Sequence, residues 1–286
     1  MTEIIDRNVV KSALTHRRDT DDKFSVGTML CICGSYGMAG AGIMSGKAAL
    51  RSGVGLLRMI IPDSIYPIMA NSITEAVFCP VVEGISAENI SFIEKLNNNN
   101  CVLIGCGLGV NSYSKDMLYT VLEKSQIPVV IDADGINIVS ENPDILKTAR
   151  APIVITPHIG EMSRLTKLTA DEIDKNREGC AVDFSKKYNV ITVLKGHKTL
   201  VASPDGTLMK NDLVGNSGMA VGGSGDVLAG VISSLIAQGG DPFKSACAGV
   251  YIHSLAGDIA KEKLGERSML PTDMIECLPQ AFMSLQ

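Results

Sequence analysis

Tryptophan is absent from this chain of 286 residues, and aromatic residues together make up only 4% of it. A core without large rings is aliphatic, and few side chains remain on which nucleic-acid bases would stack. Positive charge is also in deficit: 26 lysines and arginines face 31 aspartates and glutamates, a formal net charge of −5. A nucleic-acid polyanion calls for a basic face, which excludes that class of partner but not a small anion held by backbone amides. Met1 to Asp22 is polar and mixed in charge, so no secretory leader is expected. Long apolar runs are confined to one window, Met219 to Gln238, whose clustered glycines and Asp226 point to a buried helix rather than a membrane span. The eight cysteines include no pair with zinc-site spacing. They are expected to be reduced thiols in a cytoplasmic protein, with Cys31, Cys33, Cys101 and Cys106 buried as small hydrophobes in or beside strands.

Glycine is what the chain has in quantity, 28 residues. The densest cluster is Gly215-Asn216-Ser217-Gly218-Met219-Ala220-Val221-Gly222-Gly223-Ser224-Gly225-Asp226, which leads directly into the apolar stretch Val227 to Ala237. Small residues let the backbone approach a ligand closely, and the helix behind them presents unpaired N–H groups and the positive end of its dipole. That combination is an anion hole. Asp226 at its rim cannot attract phosphates, so its expected work is to take a proton from a substrate hydroxyl. The competing reading, Asp226 as a helix cap, leaves the long glycine run without a purpose.

Short aliphatic runs recur along the chain, each followed by a helical pattern: Met29 to Cys33, Leu56 to Ile61, Cys101 to Ile104, Val129 to Ile131, Ile153 to Ile155 and Val190 to Leu194. All are apolar on both faces, as interior parallel strands are. Helices are predicted over residues 40–52, 114–124 and 170–187. The expected fold is a single α/β domain, a mostly parallel sheet with helices on both faces. Ligands in such sheets gather at the carboxyl ends of the strands, and the polar and glycine-rich segments obey this rule. Gly34-Ser35, Gly105 to Gly109, Asp132-Ala133-Asp134, Thr156-Pro157-His158 and Lys195-Gly196-His197 each follow a strand.

Within these loops, Glu161 is a candidate to orient magnesium through water, and His158 to hydrogen-bond substrate or phosphates. Against this, Glu161 also suits the first turn of a helix as an ordinary acid. Asp132 and Asp134 read equally as a cation or polar-ligand site and as turn and helix caps. Lys195 to Thr199 reads as a loop that closes over nucleotide phosphates, with Lys195 as the point charge, or else as a solvated hairpin turn. The Gly34 to Gly42 block lacks the GxGxxG pattern and its distant acid, which sets aside a redox Rossmann site.

In this order, the Gly34-to-Gly55 block, Gly105-x-Gly107-Leu108-Gly109, Asp132-Ala133-Asp134, Thr156-Pro157-His158-x-Gly160-Glu161, Lys195-Gly196 and Gly215-Asn216 through Gly222-Gly223-Ser224-Gly225-Asp226 resemble the ADP- or ATP-dependent NAD(P)H-hydrate dehydratase family, a branch of the ribokinase-like superfamily. The resemblance runs from about residue 25 to 286, with residues 1–24 as an N-terminal extension or helix. It implies a ribokinase-like three-layer sandwich and a homotetramer. It also implies dehydration of the S form of hydrated NADH or NADPH, with Mg2+ and with ADP (giving AMP) favoured over ATP. The family's substrate positions carry over to Ala41, Gly107 and His158, and its nucleotide positions to Lys195, Gly196, His197, Lys198, Thr199, Asn216, Gly223, Gly225 and Asp226. Cys106 stands where the family usually has proline, and Gly135 where a bulkier residue is frequent. The rival is a kinase of the same superfamily, acting on a sugar, hydroxyethylthiazole or pyrimidine alcohol.

Overall fold

A computed structural model describes residues 2–82 and 96–286 of the chain. Its strands are β1 (Glu3–Ile4), β2 (Thr28–Ile32), β3 (Leu56–Pro62), β4 (Val77–Val81), β5 (Cys101–Ile104), β6 (Val129–Ile131), β7 (Ile153–Ile155), β8 (Ile191–Leu194), β9 (Leu200–Ala202) and β10 (Leu208–Lys210). Its helices are α1 (Arg7–Ala13), α2 (Ala39–Arg51), α3 (Tyr66–Ser72), α4 (Ser112–Lys124), α5 (Asp134–Val139), α6 (Ile159–Thr166), α7 (Ala170–Lys175), α8 (Arg177–Tyr188), α9 (Ser224–Ala237), α10 (Pro242–Leu264) and α11 (Pro271–Met283). The strands form one sheet in the order β1-β10-β9-β8-β7-β6-β5-β2-β3-β4. From β8 through β4 every pairing is parallel, and only β9 runs antiparallel to its neighbours.

Two cores sandwich the sheet because successive side chains of each strand point to opposite faces. Met29, Cys31, Leu57, Met59, Leu103, Val130, Val154 and Val193 pack with α2, α9, α10 and α11. Leu30, Ile32, Ile60, Val102, Ile104, Ile131, Ile155 and Leu194 pack with α4, α5, α6, α7 and α8. This is the expected three-layer arrangement, and the runs read as interior strands are buried on both faces in β2, β5, β6, β7 and β8.

The helix expected over 170–187 is two helices. Asn176 leaves helical geometry at φ −143°, ψ 55°, and its side chain accepts the N–H of Gly179 to start α8. A local side-chain bond to the backbone here overrides helical periodicity. The sequence reading did not identify β1, β4 or β10. β4 carries Pro80, which a sheet tolerates at its edge, and β4 is the edge strand. Within the N-terminal extension, α1 is capped by Asp6, and β1 pairs with β10.

Among the described residues no helix is long and apolar enough to cross a membrane. The apolar window instead supplies α9, buried along nearly its whole length between the sheet, α2 and α10. Close approach to α2 is possible because Gly230 has no side chain: a Cβ there would run into the carbonyl oxygen of Ser45 and come within 3.0 Å of Ala48 Cβ.

Gly230→Ala is therefore expected to destabilise the fold by about 1–3 kcal/mol in urea unfolding, despite alanine's better helix propensity. Gly40→Ala, where a Cβ meets nothing within 4 Å, is expected to be neutral or to gain about 0.5 kcal/mol in the same measurement.

Candidate active site

The carboxyl ends of β6, β7 and β8 are joined by one buried carboxylate. Asp132, 1% exposed, follows β6. Its Oδ1 accepts the Thr156 hydroxyl at 2.6 Å from the end of β7 and the Lys195 ammonium at 2.8 Å from the end of β8. Lys195 Nζ also lies 3.7 Å from Glu161 Oε2. Burial works against the charge of Lys195, but Asp132 and Glu161 outweigh it and hold the ammonium above the ordinary lysine range. Ala133, just after Asp132, adopts φ 50°, ψ −116°, a strained conformation for a residue with a side chain.

Helix α9 aims its N-terminus at this network. It opens at Gly223, at φ 101°, with no side-chain cap, so the reading of Asp226 as the cap does not hold. A Cβ on Gly225 would sit 3.2 Å from Lys195 Nζ and 3.6 Å from Asp132 Oδ2, which places the helix's first turn directly over the pair. Asp226 is half-buried and has no ion-pair partner among the described residues. Burial first, and then repulsion from Asp132, pushes its pKa from the ordinary 3.8 up to about 7. The carboxyl of Glu161 is likewise raised to about 7 by burial, with Lys195 opposing and Asp132 reinforcing the shift.

His158 and Glu161 form a reciprocal cap at the start of α6. His158 Nδ1 accepts the N–H groups of Gly160 at 2.9 Å and Glu161 at 3.2 Å, while Glu161 Oε2 accepts the His158 N–H at 2.7 Å. With Nδ1 engaged as an acceptor from the chain, the neutral ring carries its proton on Nε2. Burial, Lys195 and Arg164 all lower the imidazole's pKa and favour that neutral form. The ring is half-exposed, and its Nε2 lies 3.6 Å from Glu161 Oε1.

Of the remaining expected site residues, Gly107 and Ala41 meet: a Cβ on Gly107 would lie 2.8 Å from Ala41 Cβ. The residue after Gly107, Leu108, lines a small cleft with Gly34, Ser35 and Asn111. In the 195–199 loop, Gly196, His197 and Lys198 are exposed. Arg177 braces the loop by donating to the His197 carbonyl at 2.7 Å, and Lys198 is paired with Asp212 at 2.7 Å. Asn216 caps the turn after it and donates to Asp258 at 2.8 Å. Asp134 accepts the Gly109 N–H at 2.8 Å and the Asn137 side-chain amide at 3.2 Å, so it ties the start of α5 to the Gly105–Gly109 loop without capping the helix backbone.

Several residues that build the site were not identified from sequence. Thr156 was noted only as part of a motif, and Cys106 only as a buried thiol at a position where the family usually has proline, although both contact Asp132. One stripe of α10 holds the glycine loop from behind. Asp258 accepts the Gly215 N–H at 2.8 Å, Gly257 lets Met219 pack, and buried His253 lies 3.3 Å from the Ser224 hydroxyl. Burial lowers the pKa of His253 to about 4, so it stays neutral. The spacing 253, 257, 258 on a helix was the only signal available.

Comparison with known proteins agrees with this geometry. The model of the family described as NAD(P)H-hydrate dehydratase matches residues 29–280. The ADP-dependent (S)-NAD(P)H-hydrate dehydratase of Neisseria meningitidis is 36% identical over 87% of this chain and 82% of its own length. The bifunctional NAD(P)H-hydrate repair enzyme of Escherichia coli is 38% identical over 93% of this chain; here the chain spans about half of the relative, 49%. The solved ADP/ATP-dependent NAD(P)H-hydrate dehydratase of Bacillus subtilis, crystallised with ATP and Mg2+, superposes with a TM-score of 0.86 at 25% identity, covering 100% of this chain and 99% of that one. A match across the whole sheet and every strand-end loop that builds the site leaves one assignment: the chain belongs to the NAD(P)H-hydrate dehydratase family.

Proposed function

We propose that this chain dehydrates the S form of hydrated NADH and NADPH, restoring the reduced cofactors, with ADP favoured over ATP as phosphoryl donor. The observation that carries the reading is Asp226: a carboxyl with no ion-pair partner among the described residues and a pKa near 7, at the mouth of an uncapped helix. A base works best when its pKa lies near the operating pH, and burial has moved this one there. Asp226 takes the proton of the ring hydroxyl, and the resulting alkoxide attacks the terminal phosphate of the nucleotide. The amides of Gly223 to Gly225 and the Lys195 ammonium receive the charge that develops on the transferring group. ADP leaves as AMP, and the hydroxyl has become a phosphate ester. Electrons of the ring nitrogen then help expel inorganic phosphate while a ring proton is lost, and the dihydropyridine re-forms. The Nε2–H of His158 serves as a hydrogen-bond donor to substrate. Ala41 and Gly107, which pack against each other, contact the nicotinamide half of the substrate.

The donor set suits Mg2+. Asp132, Glu161 and Asp226 are hard oxygen ligands, and Lys195 is the cation that faces them. Mg2+ carried in with the nucleotide would neutralise charge on the bridging phosphate oxygens, with Glu161 acting on it through water. The eight unpaired cysteines support placement in the cytoplasm, and the family resemblance supports a homotetramer.

With Mg2+ and ADP, the chain is expected to raise absorbance in the NADH band when given the hydrate. Asp226→Asn should lower kcat by about 10³-fold or more while nucleotide affinity, measured by calorimetry, changes by less than about threefold. Stable phosphorylation of a sugar, thiazole or pyrimidine alcohol, without recovery of NADH, would identify a kinase instead. The wild-type kcat/KM should rise with pH and level off above about 7, where Asp226 is ionised.

The same carboxyl shapes stability. Its pKa is higher folded than unfolded, so the folded chain binds more protons between about pH 4 and 7, and stability falls as pH rises through that window. Asp226→Asn should accordingly be more stable than wild type by about 1–2 kcal/mol at pH 8 in thermal unfolding, and the gain should vanish near pH 4.

A further inference from the structure

A thiol stands in the wall of this site, and the reaction above does not use it. Cys106 lies one residue beyond Gly105, at the end of β5, and is fully buried. Its sulfur is 3.9 Å from Asp132 Oδ2. The sulfur and one oxygen each of Asp132 and Asp226 all lie within 4.8 Å of one another. Asp132 divides its oxygens between two tasks: Oδ1 takes Thr156 and Lys195, and Oδ2 faces Cys106.

We propose that Cys106, Asp132 and Asp226 bind a thiophilic divalent cation of the zinc and cadmium class, and that this ion inhibits the chain by occupying the catalytic carboxylate. The inhibitory half rests on the function proposed for Asp226; the metal site does not. Three protein ligands and a water complete the tetrahedral shell that zinc prefers. Ligand atoms around such an ion stand about 3–4 Å apart, so modest rotation of Asp226, which no cap bond or ion pair restrains, closes the set. Sulfur provides the selectivity. Mg2+ takes oxygen ligands and gains nothing from the thiolate, whereas zinc and cadmium do. The charges also balance: a thiolate and two carboxylates carry three negative charges, which the ion and Lys195 together neutralise.

Binding breaks the Cys106 S–H bond, sends its proton to solvent and forms the sulfur–metal bond. Without metal the thiol keeps its proton, because its contact with Cys33, its burial and the neighbouring Asp132 and Asp226 all push its pKa well above the ordinary range. Asp226 is the half-exposed member of the set and provides the way in.

The test titrates the nucleotide-free chain with Cd2+ and follows the ultraviolet charge-transfer band of a cadmium thiolate. Wild type is expected to develop the band stoichiometrically. Cys106→Ser should need at least about 100-fold more Cd2+, and Cys79→Ser should titrate like wild type. Circular dichroism checks that the serine variant is folded, and Cys106→Ala repeats the measurement if it is not. In turnover assays under saturating Mg2+, each variant scaled to its own metal-free rate, half-inhibition should move by the same factor. A band that survives loss of the Cys106 sulfur, or Cd2+ binding that leaves turnover untouched, would overturn the proposal. If the metal-free chain turns over no hydrate at all, the functional reading has failed, and the band alone decides the metal site.

Discussion

One ammonium among three carboxylates governs this molecule's chemistry. Lys195 lies 2.8 Å from Asp132 and 3.7 Å from Glu161, and the first turn of α9 brings Asp226 to the same place. A single positive charge cannot neutralise all three in a site with little water. Asp132 makes the shortest contacts and is the most buried, so it receives the lysine and the Thr156 hydroxyl. Glu161 and Asp226 are left under-compensated, and both are pushed to about 7. The pair thus ties three parallel strand ends together and, by being spent on Asp132, leaves a neighbouring carboxyl able to act as a base.

That arrangement is held at a cost elsewhere in the fold. Ala133 occupies a backbone conformation that costs on the order of 1–3 kcal/mol, and it does so at the turn that delivers Asp132. Helix α9 begins without a side-chain cap, whereas α4, α6, α7 and α8 all have one. Its open N–H groups are what an anion would fill. The support comes from behind, where Asp258, Gly257 and His253 of α10 fix both ends of the glycine loop, and from α2, whose backbone approaches Gly230 closely. A loop held on both sides by buried helices needs little reordering when phosphate arrives.

Most of the scaffold was legible because its signals are local. Runs such as Val129 to Ile131 and Ile153 to Ile155 are too short and too apolar for anything but interior strands, and each delivers its polar loop to the same sheet edge. The loss of legibility begins where partners are distant in sequence. Lys195 read as a charge for phosphate, yet its nearest partner is Asp132, 63 positions away. Asp258 and His253 sit on a helix whose pattern shows only burial. The break at Asn176 was missed because periodicity averages over a residue whose side chain makes its own bond to the backbone. Asp132 and Asp134 looked interchangeable as a pair, but one faces the site and the other pins Gly109.

Geometry also separates the neighbouring groups by their fitness to serve as the proposed base. His158 has its Nδ1 committed to two backbone N–H groups, so protonating the ring there would break the start of α6, and its Nε2 already carries the proton. Glu161 has a suitable pKa but uses Oε2 for the His158 N–H and faces Lys195, and it is almost wholly buried. Asp226 combines a pKa near 7 with partial exposure and a position at the anion-binding turn, and neither a cap nor an ion pair occupies it. A hydroxyl brought to the helix mouth would therefore meet this carboxyl and the phosphate cradle together, a step common to kinase and dehydratase. What separates the two outcomes is the substrate: an ester next to an electron-rich ring nitrogen expels its phosphate, while an ordinary alkyl phosphate persists.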